Sequence, residues 1–304
     1  MTVTAHKPLR AQKPKWLKKR LPTGPEYEKM RRLLKENKLH TVCQEAQCPN
    51  QFECFSEGTA TFMILGERCT RNCRFCAVSH RPLAPPDSEE PRRVAEAAVL
   101  LDLKYVVITS VTRDDQPDGG AQIFAETITA IKKQRPGTRV EVLIPDLQGD
   151  QDALMTILEA QPDVLNHNLE TVSRLYDRVR PEAVYQRSLQ LFKETKRIAP
   201  NQITKSGIML GLGENDAELR EAWQDLIAAG CDILTLGQYL QPSKKHLAVQ
   251  RFVTPDEFTK LEQQALADGF RGVASGPFIR SSYQAEKLFR TVQRSRDEKH
   301  QPIS

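Results

Sequence analysis

The sequence predicts an α/β protein, a partial (β/α)6 TIM-like barrel with an N-terminal and a C-terminal extension. Three observations carry that expectation. From residue 59 onward, short apolar, β-branched runs alternate with amphipathic helical stretches. The alternation supplies six strands. The Cys69–Cys76 motif directly follows the first of those strands. Strand–helix alternation implies parallel strands joined by right-handed crossovers. In such barrels the chemistry gathers on loops that leave the C-terminal ends of the strands.

Residues 1–58 read as an irregular N-terminal extension, punctuated by Pro8, Pro14, Pro22 and Pro25, with one amphipathic helix over 26–36. Residues 59–270 read as the barrel. Strands are expected at 61–65, 105–111, 140–144, 164–168, 205–210 and 233–239. Helical patterns fall at 90–101, 121–135, 150–160, 184–198, 215–229 and 255–268. The last of these opens on Thr254-Pro255, an N-cap followed by proline at the first helical position. Residues 271–304 form a C-terminal extension. The loops at 66–76, 112–120, 145–149, 169–174 and 211–215 then share one face.

Composition narrows the classes. The 304 residues are 27% charged and 39% hydrophobic, which suits a chain with a full core. No apolar run reaches the ~20 residues of a membrane span. The polar start lacks the apolar core of a secretory signal. A cytoplasmic protein, not bound to membrane, is expected. The net charge is +5, and Lys7, Arg10, Lys13, Lys15, Lys18, Lys19 and Arg20 meet no acid in the first twenty residues. That arm is either a solvated tail or a grip for an acidic partner. No nucleic-acid-binding module follows it, so nucleic acid is not the expected partner.

Six of the seven cysteines fall between Cys43 and Cys76. Cytosolic thiols stay reduced, so clustered ones more often hold metal or do catalysis than form disulfides. The sharper motif is Cys69-Thr-Arg-Asn-Cys73-Arg-Phe-Cys76, directly after the first strand. Iron–sulfur clusters are held by cysteine thiolates, and two or three intervening residues let one loop wrap a cubane. Three cysteines leave a fourth iron open for chemistry. Structural zinc prefers four protein ligands and C-x2-C pairs. The second motif, Cys43-x4-Cys48-x5-Cys54, is by itself open to zinc, a redox pair or a second cluster. Cys54 precedes the first strand, which spans roughly 17 Å, and the six or so residues between retrace about 20 Å if extended, enough to bring that motif to the active face. Cys231 lies at the opposite end of the barrel, just before the strand at 233–239, and reads as a buried structural thiol.

The C-x3-C-x2-C spacing, with Phe75 before its last cysteine, resembles the radical S-adenosylmethionine (SAM) superfamily. His40-Thr-Val-Cys43, Cys48-Pro-Asn50, the Cys69–Cys76 motif and Arg280-Ser-Ser-Tyr283 together resemble the lipoyl synthase family. Supporting stretches are Thr109-Ser-Val-Thr-Arg-Asp-Asp115, Asn166-His-Asn-Leu-Glu-Thr171 and Lys205-Ser-Gly-Ile-Met-Leu-Gly-Leu-Gly-Glu214, and the resemblance runs from Trp16 to Phe289. One departure stands at Asn50-Gln-Phe-Glu-Cys54-Phe55, where the family usually has Asn-Ile-Gly-Glu-Cys-Trp.

The resemblance implies a radical SAM barrel with two 4Fe–4S clusters. One, on Cys69, Cys73 and Cys76, binds SAM and generates a 5′-deoxyadenosyl radical. The other, on Cys43, Cys48, Cys54 and Ser282, is consumed as the sulfur source. Two sulfur atoms then enter C6 and C8 of an octanoyl group amide-linked to a carrier lysine. Implied partners are octanoylated lipoyl-carrier domains (2-oxoacid dehydrogenase E2 subunits and the glycine cleavage H protein), a low-potential donor such as ferredoxin or flavodoxin, and a cluster-repair carrier, acting on a monomer. Thr109, Asn168 and Glu170 are candidates to hydrogen-bond SAM, and Arg180 to pair with its carboxylate; bracing of loops is the plainer reading of each. Ser281, with Gln284 three residues on, also fits a capping box for a helix over 283–289. Asp114, Asp115 and Asp118 either meet the amino group of a substrate or brace the Gly119-Gly120 turn. His40 and His167 read as satisfied, partly buried histidines more readily than as ligands or bases.

Overall fold

All six expected strands form, and a seventh parallel strand joins them. The computed structural model describes residues 13–17, 28, 32, 36, 39–41, 50, 53, 60–80 and 83–299. Cys43, Cys48 and Cys54 lie outside the described residues. So does most of the helix expected over 26–36, although Glu28, Arg32 and Glu36 are helical.

Strands β1 (His40–Thr41), β2 (Ala60–Ile64), β3 (Arg68–Cys69) and β4 (Ser79–His80) come first, followed by β5 (Tyr105–Ser110), β6 (Arg139–Leu143) and β7 (Val164–Asn166). Then come β8 (Ile203–Leu210), β9 (Ile233–Gln238) and β10 (Gly272–Gly276). The main sheet runs β1-β2-β5-β6-β7-β8-β9-β10, antiparallel only between β1 and β2. Each new strand is laid beside the last, the winding of a partial barrel. The helices are α1 (Glu90–Leu100), α2 (Ala121–Gln134), α3 (Gln151–Glu159), α4 (Tyr176–Val179), α5 (Tyr185–Ile198), α6 (Asp216–Ala228), α7 (Pro255–Asp268) and α8 (Ala285–Lys299).

Local chemistry fixes these helix starts. Asn215 and Thr254 each close a capping box, with Glu218 and Glu257, and Asp150 caps α3 through the N–H groups of Asp152 and Ala153. Each satisfies donors that a helix N-terminus leaves orphaned. Strand alternation then sorts the core. Val106, Ile108, Val140, Val142, Leu165, Leu234 and Leu236 face outward, into one cluster with the helices. Tyr105, Val107, Val164, Ile203 and Ile233 face the other way and pack on Ala285, Leu288, Phe289 and Val292 of α8. Because Tyr105, Val164, Ile203 and Ile233 each begin or nearly begin a strand, α8 covers the N-terminal end of that inner face.

One layer above this apolar base lies a polar network. Lys205 Nζ donates to both Glu141 oxygens (2.9 and 3.2 Å), and Tyr105 and Asn166 donate to the same carboxylate at 2.8 and 3.0 Å. The Lys205 and Glu141 side chains are each 1% exposed. Among the described residues no helix is long and apolar enough to cross a membrane.

Candidate active site

The C-terminal ends of the strands open into a cavity of about 610 Å³. Cys69, Cys73 and Cys76 line it, and so do Thr109, Asn168, Glu170 and Arg180. The loop after β2 therefore faces the loops after β5 and β7, as the barrel rule requires.

The cysteine loop is held by its own intervening residues. The Thr70 N–H and hydroxyl both donate to the Thr112 carbonyl at 2.9 Å, and in return the Thr112 N–H reaches Cys69 Sγ at 3.3 Å. Arg71, only 4% exposed, donates twice to Asp114 (2.7 and 2.9 Å) and once to Asp146 (2.6 Å). Burial disfavours its charge, but these two carboxylates outweigh that and raise its pKa. Burial likewise opposes the charge of Asp146, yet Arg71 holds it down to about 2. The other end of the loop is fastened by Arg74 N to the Val179 carbonyl (2.9 Å) and by His246 Nε2, which donates to the Cys76 carbonyl at 2.9 Å.

Burial makes two of the thiols reluctant to ionise on their own. Burial pushes Cys73 up to about 11, against the pull of Arg180, and Cys76 up to about 12. All three are free of disulfides. Among the described residues no three His, Cys, Asp or Glu side chains group around a single-ion site. Three soft donors along one cavity rim, without a fourth, suit a cluster that bridges them and keeps one position open.

Beside the thiols, Arg180 is 8% exposed and donates to the Asn168 and Leu169 carbonyls at 2.9 and 3.3 Å. Its guanidinium lies 5.5 Å from the Tyr176 ring centroid, and its Nε has no hydrogen-bond partner. Asn168 Nδ2 donates to Glu170 Oε1 at 3.1 Å. Glu170 takes a positive φ of 70° and bridges to Ile208, which ends β7 earlier than the expected 164–168. Burial raises its carboxyl pKa. Thr109 sits as expected at the end of β5, but its hydroxyl is already given to the Leu143 carbonyl at 3.0 Å.

The C-terminal segment enters the same cavity. Phe278, Ile279, Arg280, Ser281 and Ser282 line it, over two glycines. A Cβ on Gly237 would stand 2.2 Å from the Ile279 carbonyl oxygen, and one on Gly207 would stand 2.8 Å from Asn168 Oδ1. Only residues without side chains permit this approach. The capping expectation for Ser281 is not met. The final helix starts at Ala285, and the Ser281 hydroxyl donates instead to Asn168 Oδ1 at 2.9 Å. A tertiary partner outcompetes the local cap. Ser282 makes no hydrogen bond among the described residues. Asn50 and Glu53, which lie between Cys48 and Cys54, reach this segment: Asn50 Nδ2 donates to the Phe278 carbonyl at 2.5 Å, and the Tyr283 hydroxyl donates to Glu53 at 2.5 Å.

The remaining candidates take plainer roles. Asp118 accepts from the N–H groups of Gly120 and Gln122 (2.9 and 2.8 Å) and so braces the glycine turn. Asp115 pairs with Arg113 at 2.8 Å. His167 is buried, with Nδ1 on the Ile144 carbonyl and Nε2 on Ser188 Oγ, both at 2.9 Å; burial lowers its pKa to about 4. The His40 side chain lies outside the described residues. Cys231 is buried below β9, its thiol bonded to the Ile233 carbonyl at 3.3 Å. Sequence reasoning overlooked Arg71, Asp146 and His246. Only Arg71 carried a signal, as a cation inside the cysteine motif.

Comparison with known proteins points one way. The family model of the radical SAM superfamily matches residues 63–226, and that of the N-terminal domain of lipoyl synthase matches residues 2–48. The chain is 64% identical over 288 residues to a lipoyl synthase of Desulfotalea psychrophila, covering 95% of this chain and 96% of that one. It is 56% identical over 277 residues to one from Symbiobacterium thermophilum, covering 91% and 87%. Among solved structures, methylornithine synthase aligns with a TM-score of 0.55 at 13% identity, covering 88% of this chain and 92% of that one. The hydrogenase maturase HydG aligns at 0.56 and 14%, covering 87% and 77%. At such identities these two establish the shared fold alone.

Proposed function

Because the chain belongs to the lipoyl synthase family of radical SAM enzymes, we propose that it inserts two sulfur atoms, at C6 and C8, into an octanoyl group carried on a protein lysine. Cys69, Cys73 and Cys76 hold the 4Fe–4S cluster that binds SAM. When bound, that pair supplies hydrogen-atom abstraction from an unactivated carbon, which no amino-acid side chain performs. Arg180 binds the SAM carboxylate; its unpaired Nε supports this, as a buried donor without a partner is costly. Asn168 and Glu170 orient the methionine and ribose portions, and Thr109 shapes the wall at the end of β5.

Cys43, Cys48, Cys54 and Ser282 hold a second 4Fe–4S cluster, which is the sulfur substrate. The observation that carries this is the pair of contacts from Asn50 and Glu53 to the segment flanking Ser282. They bring Asn50 and Glu53, neighbours of Cys48 and Cys54 in sequence, to the cavity that the first motif lines, which supports the reading. A serine oxygen is a poor ligand for a soft metal, which suits an iron that must be released. The octanoyl substrate arrives on a lipoyl-carrier domain of an E2 subunit or H protein. A ferredoxin or flavodoxin supplies electrons, and a cluster carrier restores the second site, in the cytoplasm.

Anaerobic reconstitution tests the reading. About eight irons per chain are expected for two cubanes. Replacing Cys43, Cys48 and Cys54 together should halve that, retain SAM cleavage to 5′-deoxyadenosine and abolish sulfur transfer. Thiolated product from a chain with only one cluster would overturn it.

A further inference from the structure

The turn that carries Ser282 is gripped from two sides. On one side Asn50 and Glu53, from the second cysteine motif, hold Phe278 and Tyr283. On the other, Ser281 donates to Asn168 Oδ1 at 2.9 Å. Asn168 does not end the chain of contacts. Its side-chain amide nitrogen donates to Glu170 at 3.1 Å, and its backbone carbonyl accepts from Arg180 at 2.9 Å. Arg180 in turn lines the cavity wall together with Cys73. Hydrogen bonds thus join the turn bearing Ser282 to Glu170 and, through the Asn168 backbone, to Arg180 on the cavity wall. Gly207 and Gly237 allow it, because a side chain on either would push the turn off the strands.

We propose that Ser281 is a positioning residue that couples the SAM pocket to the turn presenting Ser282. This rests on the reading above, in which Asn168, Glu170 and Arg180 face SAM and Ser282 faces the second cluster. An amide side chain has one oxygen and two N–H groups to share. Asn168 spends the oxygen on Ser281 and one N–H on Glu170. A ligand that reorients Asn168 or Glu170 therefore moves, or fixes, the acceptor on which Ser281 hangs. Coupling between two sites is reciprocal: loading the second cluster must change SAM affinity by the same factor that SAM changes the hold on the second cluster. Physically, the fully assembled site would bind SAM best, and radical formation would be favoured where sulfur stands ready.

A double-mutant cycle on the holoenzyme reads this directly. SAM dissociation constants are measured by equilibrium dialysis, and the SAM-induced change in the spectrum of the reduced first cluster is recorded. The four proteins are the parent, Ser281→Ala, the variant lacking Cys43, Cys48 and Cys54, and the combination. In the parent background, removing the second cluster is expected to weaken SAM binding by about three- to tenfold, the worth of one hydrogen bond. In the Ser281→Ala background the same removal should change it by less than about twofold. Ser281→Ala should keep a full iron complement and release more 5′-deoxyadenosine per sulfur inserted than the parent.

An unchanged coupling factor in Ser281→Ala, with iron complete, would show that the hydroxyl only packs the turn and would overturn the proposal while leaving the enzyme reading intact. Loss of half the iron in Ser281→Ala would make Ser281 the cluster ligand and overturn it differently. A parent that binds two clusters but makes no thiolated product would instead overturn the function on which the proposal rests.

Discussion

The two ends of the inner barrel face are built from the same strands and could hardly differ more. At the N-terminal end Tyr105, Ile203 and Ile233 are sealed by α8, and the Lys205–Glu141 pair above them is answered by Tyr105 and Asn166. At the C-terminal end Cys69, Cys73, Cys76 and Ser282 line the cavity, and among the described residues the buried Arg180 Nε has no hydrogen-bond partner. Buried polar groups are normally satisfied from within the protein. The cavity end is the functional one because the three cysteines of one loop and the open cavity meet there.

The contrast can be broken by mutation at either end. The largest expected effect is at the base. Lys205→Met leaves the Glu141 carboxylate buried without its cation and should cost roughly 3–5 kcal/mol in denaturant unfolding. SAM affinity of the folded fraction should stay within about twofold, because the pair lies a layer below the cavity floor. Equal damage to both would show that the two ends are not separable.

His167 sharpens the boundary between them. Burial first, and then Arg180, lower its pKa from 6.5 to about 4, so the folded protein keeps it neutral while the unfolded chain takes up a proton. Its contribution is therefore complete above pH 6.5 and is lost as pH falls towards about 4, on the order of 3 kcal/mol in all. Unfolding free energies measured across that window should show the slope, and His167→Gln should flatten it. The smallest effect belongs to the cavity. Arg180→Lys keeps the charge but loses the planar fork that serves Asn168, Leu169 and a ligand together. SAM binding should weaken by about ten- to a hundredfold, with little change in unfolding midpoint. A large stability loss instead would make Arg180 a loop brace.

The six helices of the barrel and its first six parallel strands were legible in the sequence to within a residue or two, because periodicity and caps are local signals; α4 was not expected, and α8 runs ten residues past the expected 283–289. Thr254-Pro255 with Glu257 announces α7 before any tertiary contact is known. The strand Gly272–Gly276 escaped notice because Gly-Val-Ala-Ser-Gly has little β-branched or aromatic content, and its strand state is imposed by pairing with β9. The same limit explains Ser281. Its spacing to Gln284 reads as a cap, but Asn168, 113 residues away in sequence, claims the hydroxyl. Arg71 advertised itself only as a cation, and neither Asp114 nor Asp146 could be matched to it from spacing. The Cys69–Cys76 motif was readable because its three thiols sit on one loop, so their spacing is written in consecutive residues.

Helix α8 starts two residues past the Arg-Ser-Ser-Tyr turn and drives Leu288, Phe289 and Val292 into the base of the barrel. The protein's most reactive corner is thus moored to its driest one by a single rigid rod. Loosening that rod would free one of the turn's holds, leaving it to the contacts from Asn50, Glu53 and Asn168.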